Sequence, residues 1–116
     1  MFNETTIETY TCSIYVGLLD IETLKQYTSL ELKRACEKYC TTAGLCVSIF
    51  PCTYSYIHGT EDGARIDLIT YPRFPKAPEK IRDQAIDLAK FLMTLFRQRR
   101  CSIVCPEKTI MLEQVT

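Results

Sequence analysis

The sequence predicts one α+β domain over residues 1–116, ferredoxin-like in its βαββαβ order and extended by a C-terminal strand. Three observations predict it. Short runs of alternating apolar and polar residues recur along the chain. Two other segments carry apolar residues at helical spacing. The two kinds follow each other as strand, helix, strand, strand, helix, strand, strand. Two helices on one face of a mostly antiparallel sheet is the simplest way to bury these stripes.

Thr5 to Leu18 reads as the first strand, with Tyr10, Cys12, Ile14, Val16 and Leu18 alternating with Thr9, Thr11, Ser13, Tyr15 and Gly17. Leu19 to Tyr27 is a connection with room for a short turn of helix. Thr28-Ser29-Leu30-Glu31 matches a capping box. Leu32, Ala35, Cys36, Tyr39, Cys40 and Ala43 then form a helical stripe, and Gly44 is placed to end it in a left-handed cap. Leu45 to Ile57 is the second strand. Pro51 cannot donate to a ladder, so this strand bends, bulges or lies at an edge. His58 to Gly63 has glycines around polar residues and reads as a hairpin with a longer loop. Ala64 to Tyr71 is the third strand.

Pro72, Pro75 and Pro78 then exclude regular structure, and Pro78 suits the first position of the next helix. Ile81, Ala85, Leu88, Ala89, Leu92, Leu95 and Phe96 are its apolar stripe, followed by Arg97, Arg99 and Arg100. Cys101 to Cys105 is a short strand. Pro106 to Lys108 turns the chain, and Thr109 to Leu112 is the last strand.

Apolar residues are 47% of the chain and net charge is zero, which argues against disorder and against a global field that attracts nucleic acid or anionic membrane. The second half is locally basic. Met1 to Thr5 lacks a basic segment and a long apolar one, and no stretch approaches the ~20 apolar residues of a membrane span. The expectation is a soluble cytoplasmic protein. Seven cysteines without a C-x-x-C pair predict buried thiols, with neither a disulfide framework nor a metal site. With one histidine, a multi-histidine metal site is excluded within one chain.

No phosphate loop, nucleophile elbow or H-E-x-x-H helix is present. Cys52 and His58 are a thin basis for a nucleophile and base. The proline-braced loop instead holds Tyr71, Arg73 and Phe74 on a backbone with little entropy left to lose on binding. Arg73 offers a planar fork for phosphate or carboxylate, and the aromatics can stack on a base. Tyr54, Tyr56 and Tyr15 form a second aromatic group, but the glycine-aromatic pattern of an RNA-binding sheet is missing. Arg97, Arg99 and Arg100 either complement a helix C-terminus or hold an anion. The candidate ligand-binding residues are therefore Tyr71, Arg73, Phe74, Tyr54, Tyr56, His58, Arg97, Arg99 and Arg100, with no cofactor and no metal. Open sheet edges predict a homo-oligomer.

Ser13-Ile14-Tyr15-Val16-Gly17-Leu18, Gly44-Leu45-Cys46-Val47-Ser48 and Ile69-Thr70-Tyr71-Pro72-Arg73-Phe74-Pro75 together resemble a group of small, mostly uncharacterised bacteriophage proteins. The resemblance implies a phage origin and a role toward the host, and it transfers no functional residue. Some small phage proteins sequester nucleotide signals of host defence. The leading expectation is thus a non-enzymatic binder of a small, anionic, nucleotide-like ligand. The alternatives are an interaction module that inhibits a host enzyme and a small thiol-dependent enzyme.

Overall fold

The alternation in the first strand sets the layers. Cys12, Ile14 and Val16 are wholly buried, while Thr11, Ser13, Tyr15 and Gly17 point the other way. The computed structural model describes residues 1–115. Its elements are β1 (Thr11–Gly17), β2 (Leu19–Asp20), β3 (Lys25–Gln26), α1 (Ser29–Ala43), β4 (Ser48–Tyr56), β5 (Gly59–Ile69), α2 (Pro78–Leu95), β6 (Arg100–Val104) and β7 (Thr109–Glu113). The sheet order is β4-β5-β1-β6-β7, and every neighbouring pair is antiparallel. Two helices packed on one side of a five-stranded antiparallel sheet is the α+β architecture the sequence predicts.

Each helix is explained by its ends and its stripe. Thr28 accepts from the Glu31 backbone, the Glu31 carboxylate accepts from the Thr28 backbone, and Gly44 closes α1 at φ 70°. Pro78 opens α2. The larger helix buries Ile81, Ala85, Leu88, Ala89, Leu92 and Met93, against Leu32, Ala35 and Cys36 from α1. At roughly 1.5–3 kcal/mol per large buried side chain, α2 is the main clamp on the sheet. Ring contacts tie the helical layer together: Tyr39 of α1 meets Phe91 of α2 at 5.0 Å between centroids, and Tyr27, just before α1, meets Phe96 at the end of α2 at 4.9 Å.

Several local expectations are corrected. The first strand begins at Thr11, because its partner β5 ends at the Ile69 opposite it. The segment before it is irregular, although the Tyr10 carbonyl still accepts from Thr70 N (3.1 Å). The connection after β1 holds a single turn of helical type, in which Leu24 N–H donates to the Asp20 carbonyl (2.7 Å), and it also forms a strand pair. Leu19–Asp20 pairs with Lys25–Gln26 as a small hairpin. The long loop at His58–Gly63 does not exist: Tyr56 pairs with Gly59, Ile57 and His58 make the turn, and Gly59 to Gly63 extend β5. Pro51 is tolerated because β4 is an edge strand.

Asp20 locks the small hairpin to the end of α2. Its carboxylate accepts from Glu22 N (3.0 Å) and the Thr23 hydroxyl (2.8 Å), and Arg97 Nε stands 2.8 Å away. The Thr23 hydroxyl chiefly, with the Glu22 and Thr23 backbone and Arg97, lowers the Asp20 pKa below its ordinary 3.8. This contribution to stability is present above the ordinary carboxylate pKa and is lost as pH falls through the lowered value. Urea titrations from pH 5 down to about pH 2 should therefore show a shallower decline for Asp20→Asn than for the natural protein, with the variant less stable at pH 7.

Gly63 tests the register. A Cβ there would collide with the Tyr54 ring and lie 2.5 Å from the Val16 carbonyl oxygen. Gly63→Ala should lower stability by about 1–3 kcal/mol in urea denaturation, as overpacking does.

Candidate functional site

Both helices lie on one face of the sheet, so the other face is uncovered. Cross-strand register arranges its side chains in rows. Phe50, Arg65, Tyr15, Ser102 and Met111 form one row across all five strands. Ser48, Asp67, Ser13, Val104 and Thr109 form the next. On the other side of the first row, Cys52, Gly63 and Gly17 leave a strip without large side chains, and Tyr54 lies opposite Glu61 beyond it.

That glycine strip is filled from its margins. The Tyr54 ring leans over Gly63, and its hydroxyl donates to the Ala64 carbonyl (2.7 Å). Burial pushes the Tyr54 phenol well above its ordinary pKa, so the ring serves as an uncharged aromatic surface. A Cβ on Gly17 would meet Glu61 Oε1 at 2.9 Å and Gln98 Oε1 at 2.8 Å. Two acceptor oxygens thus converge on one point beside an aromatic ring. Gln98 is fixed in this pose because its Nε2 donates to the Leu19 and Phe96 carbonyls, 2.9 Å each. Glu61 is half-buried and has no ion pair among the described residues. Such a place suits a cation, which gains from both the oxygens and the ring face.

One row away the charge is reversed. The Arg65 guanidinium lies over the Phe50 ring at 4.3 Å. Its Nε is 3.1 Å from Asp67 Oδ1, yet the angle is not that of a hydrogen bond, and both atoms are buried without another partner. The buried Nε is out of a ligand's reach, but the side chain is 38% exposed and its terminal nitrogens make no hydrogen bond among the described residues, so they keep donor capacity for an anion.

The residues expected from the sequence fall into separate places. Tyr71, Arg73 and Phe74 lie beyond the other end of β5. Tyr71 bridges to Phe74, whose N–H donates to the Tyr71 carbonyl (2.9 Å), and Arg73 rests 5.2 Å from the Phe74 ring. This loop borders a cleft of about 330 Å³ with Leu45, Leu68 and Ile81 in its floor and Lys76 and Gln84 at its rim. Tyr54 is on the open sheet face, whereas Tyr56 and His58 are exposed at the β4–β5 turn. Arg97, Arg99 and Arg100 lie past the end of α2, so they do not form its last turn. Arg97 pairs with Asp20 and Glu22, Arg100 pairs with Glu113 (2.6 Å), and Arg99 is exposed. The nine residues thus do not converge within one chain. Cys52 and His58 do not hydrogen-bond either: Cys52 faces the open sheet surface and His58 sits in the turn.

No protein-family model and no curated protein matches this chain. Two solved structures do. One is a phage SAM lyase in complex with S-methyl-5′-thioadenosine, with a TM-score of 0.75 and 15% identity, covering 98% of this chain and 96% of that one. The other is a phage SAM lyase in the apo state, with a TM-score of 0.78 and 17% identity, covering 90% and 89%. The shared fold runs nearly end to end, and both neighbours are phage proteins, in keeping with the bacteriophage resemblance. They also correct the leading expectation, because the proteins that share this fold are enzymes and not passive binders. Among the described residues, no helix is long and apolar enough to cross a membrane.

Thiol chemistry separates the cysteines. Cys12, Cys36, Cys101 and Cys105 are buried, Cys40 and Cys52 are half-buried, and Cys46 is exposed. Burial pushes Cys12, Cys36 and Cys101 up to about 12. A thiol reagent at pH 7.5 should label Cys46 first and leave Cys36 and Cys101 unlabelled while the protein is folded, as read by peptide mass spectrometry.

Proposed function

We propose that this protein is a lyase acting on S-adenosylmethionine and releasing S-methyl-5′-thioadenosine, with the substrate held on the open sheet face. The end-to-end likeness to two phage SAM lyases supports the activity. The observation that carries the choice of place is the convergence of Glu61 and Gln98 oxygens over Gly17, beside the Tyr54 ring.

The chemistry of the substrate matches that face. S-adenosylmethionine has a sulfonium cation, a purine and an amino-acid end. Glu61, Gln98 and Tyr54 offer the cation oxygens and a ring face. Arg65 offers its guanidinium to the carboxylate. Phe50 and Tyr15, in the same row as Arg65, offer surface for stacking. The Tyr71–Phe74 cleft also has aromatic walls, but no carboxylate lines it, so it gives a sulfonium no counter-charge.

Cleavage of the bond between sulfur and the amino-acid chain returns its electron pair to sulfur, so the sulfonium becomes a neutral thioether, while the released carbon is taken by the substrate's own carboxylate oxygen as a lactone and no other reactant is consumed. A carboxylate beside it therefore stabilises bound substrate more than the transition state or the product. Glu61 captures and orients the cation, and loss of charge releases the product. In one chain this face is shallow and exposes Phe50, Tyr15, Val104 and Met111. A second copy laid against it would cover the substrate, which gives the expected homo-oligomer a role.

Incubation with S-adenosylmethionine should yield S-methyl-5′-thioadenosine by liquid chromatography, in proportion to protein added. Unconsumed substrate would rule the activity out. Glu61→Gln should lower kcat/KM about 10- to 100-fold, mainly through KM, as loss of a charge-assisted contact does. Its affinity for the neutral thioether should change less than about twofold, because that ligand has no charge for Glu61 to meet. The double variant Tyr71→Ala, Phe74→Ala should keep kcat/KM within about twofold.

A further inference from the structure

Two of the buried thiols face each other across the sheet. Ser13 pairs with Val104, so one step further along that register Cys12 stands opposite Cys105, both on the helix-covered face. Their sulfurs are 2.9 Å apart. Directly opposed residues on antiparallel strands have Cβ atoms roughly 4.5–5.5 Å apart, bordering on the spacing a disulfide spans. An S–S bond of about 2.05 Å would need less than about 1 Å of closure. The two residues are 93 apart in sequence and join the central strand to the turn before the last one.

We propose that Cys12 and Cys105 are a modification site: an oxidisable dithiol that a small-molecule disulfide such as oxidised glutathione converts into an intramolecular disulfide. The inference is independent of the lyase reading. The path follows from the positions of the two thiols. Cys12 is 0% exposed on the central strand, whereas Cys105 is 5% exposed at the start of the turn closed by Cys105 N–H to the Lys108 carbonyl (2.8 Å). Opening of that turn presents the Cys105 sulfur first. Its thiolate attacks one sulfur of oxidised glutathione, forming a mixed disulfide and expelling one glutathione thiolate. The Cys12 thiolate then attacks the Cys105 sulfur, forming the Cys12–Cys105 bond and expelling the second glutathione. Two protein thiols are oxidised, one glutathione disulfide is reduced, and the two protons end on the two glutathione thiols. Burial pushes the Cys12 thiol up to about 12 in the closed fold, which makes the second step depend on the same opening.

The test is oxidation of the folded protein with glutathione disulfide at pH 8, followed by non-reducing peptide mass spectrometry. The expected product is one cross-linked peptide pair joining Cys12 to Cys105, reversed by dithiothreitol. The oxidised form should melt higher by on the order of 10 °C, since the bond closes a long loop. With Cys12→Ala, Cys105 should stop at the glutathione adduct. Where that variant does not fold, Cys105→Ser, nearer the surface, should equally abolish the cross-link. A natural protein whose Cys12 and Cys105 stay free while Cys46 is modified would overturn the proposal. So would a cross-link that persists in either variant or joins other cysteines.

Discussion

The structure depends on the one-sided alternation of its central strand. β1 lies between β5 and β6, and its Cys12, Ile14 and Val16 are 0% exposed. Both helices attach through that face. Each large apolar side chain buried there is worth roughly 1.5–3 kcal/mol, and all of it is lost if the strand slips. A slip of one residue would put Ser13, Tyr15 and Gly17 beneath α2 and turn the apolar set outward. The register is therefore fixed, and with it every row on the opposite face. The same physical fact that builds the core leaves one side of the sheet bare.

The bare side is where local rules of strand composition are relaxed. Glycine inside a strand costs entropy and packing, yet Gly63 lies within β5, paired with Gly17 at the end of β1. Their compensation is space: the Tyr54 ring occupies one position, and the Glu61 and Gln98 oxygens border the other. Charge is also segregated there, with Glu61 beyond the glycine strip and Arg65 one row before it. Side chains on paired strands keep their spacing better than side chains on loops do, which favours such a surface for orienting a zwitterionic, cationic ligand.

The fold was legible where the signal is local. The capping box at Thr28–Glu31, the αL cap at Gly44 and the period-two run of β1 all lie within a few residues of what they determine. Pro51 left a bend, a bulge or an edge open for its strand, and the edge is what β4 adopts. The β4–β5 hairpin was misread because glycine has two uses. Gly63 looked like turn punctuation, but it is a glycine to admit the ring of Tyr54, and only the register Cys52 to Gly63 reveals that. The arginines past α2 looked free to hold an anion. Asp20, Glu22 and Glu113, distant in sequence, take two of them. The convergence of Glu61 with Gln98 has no local signature at all, since a strand and the turn after a helix must meet to create it.

On the proposed function the ligand lies on the open sheet face. Amide chemical-shift mapping with S-methyl-5′-thioadenosine tests it most directly. Perturbations should centre on Tyr15, Gly17, Tyr54, Glu61, Gly63 and Arg65, with Gly44, Leu45, Tyr71 and Phe74 unmoved. Perturbations confined to the Tyr71–Phe74 cleft, with the open face silent, would contradict it.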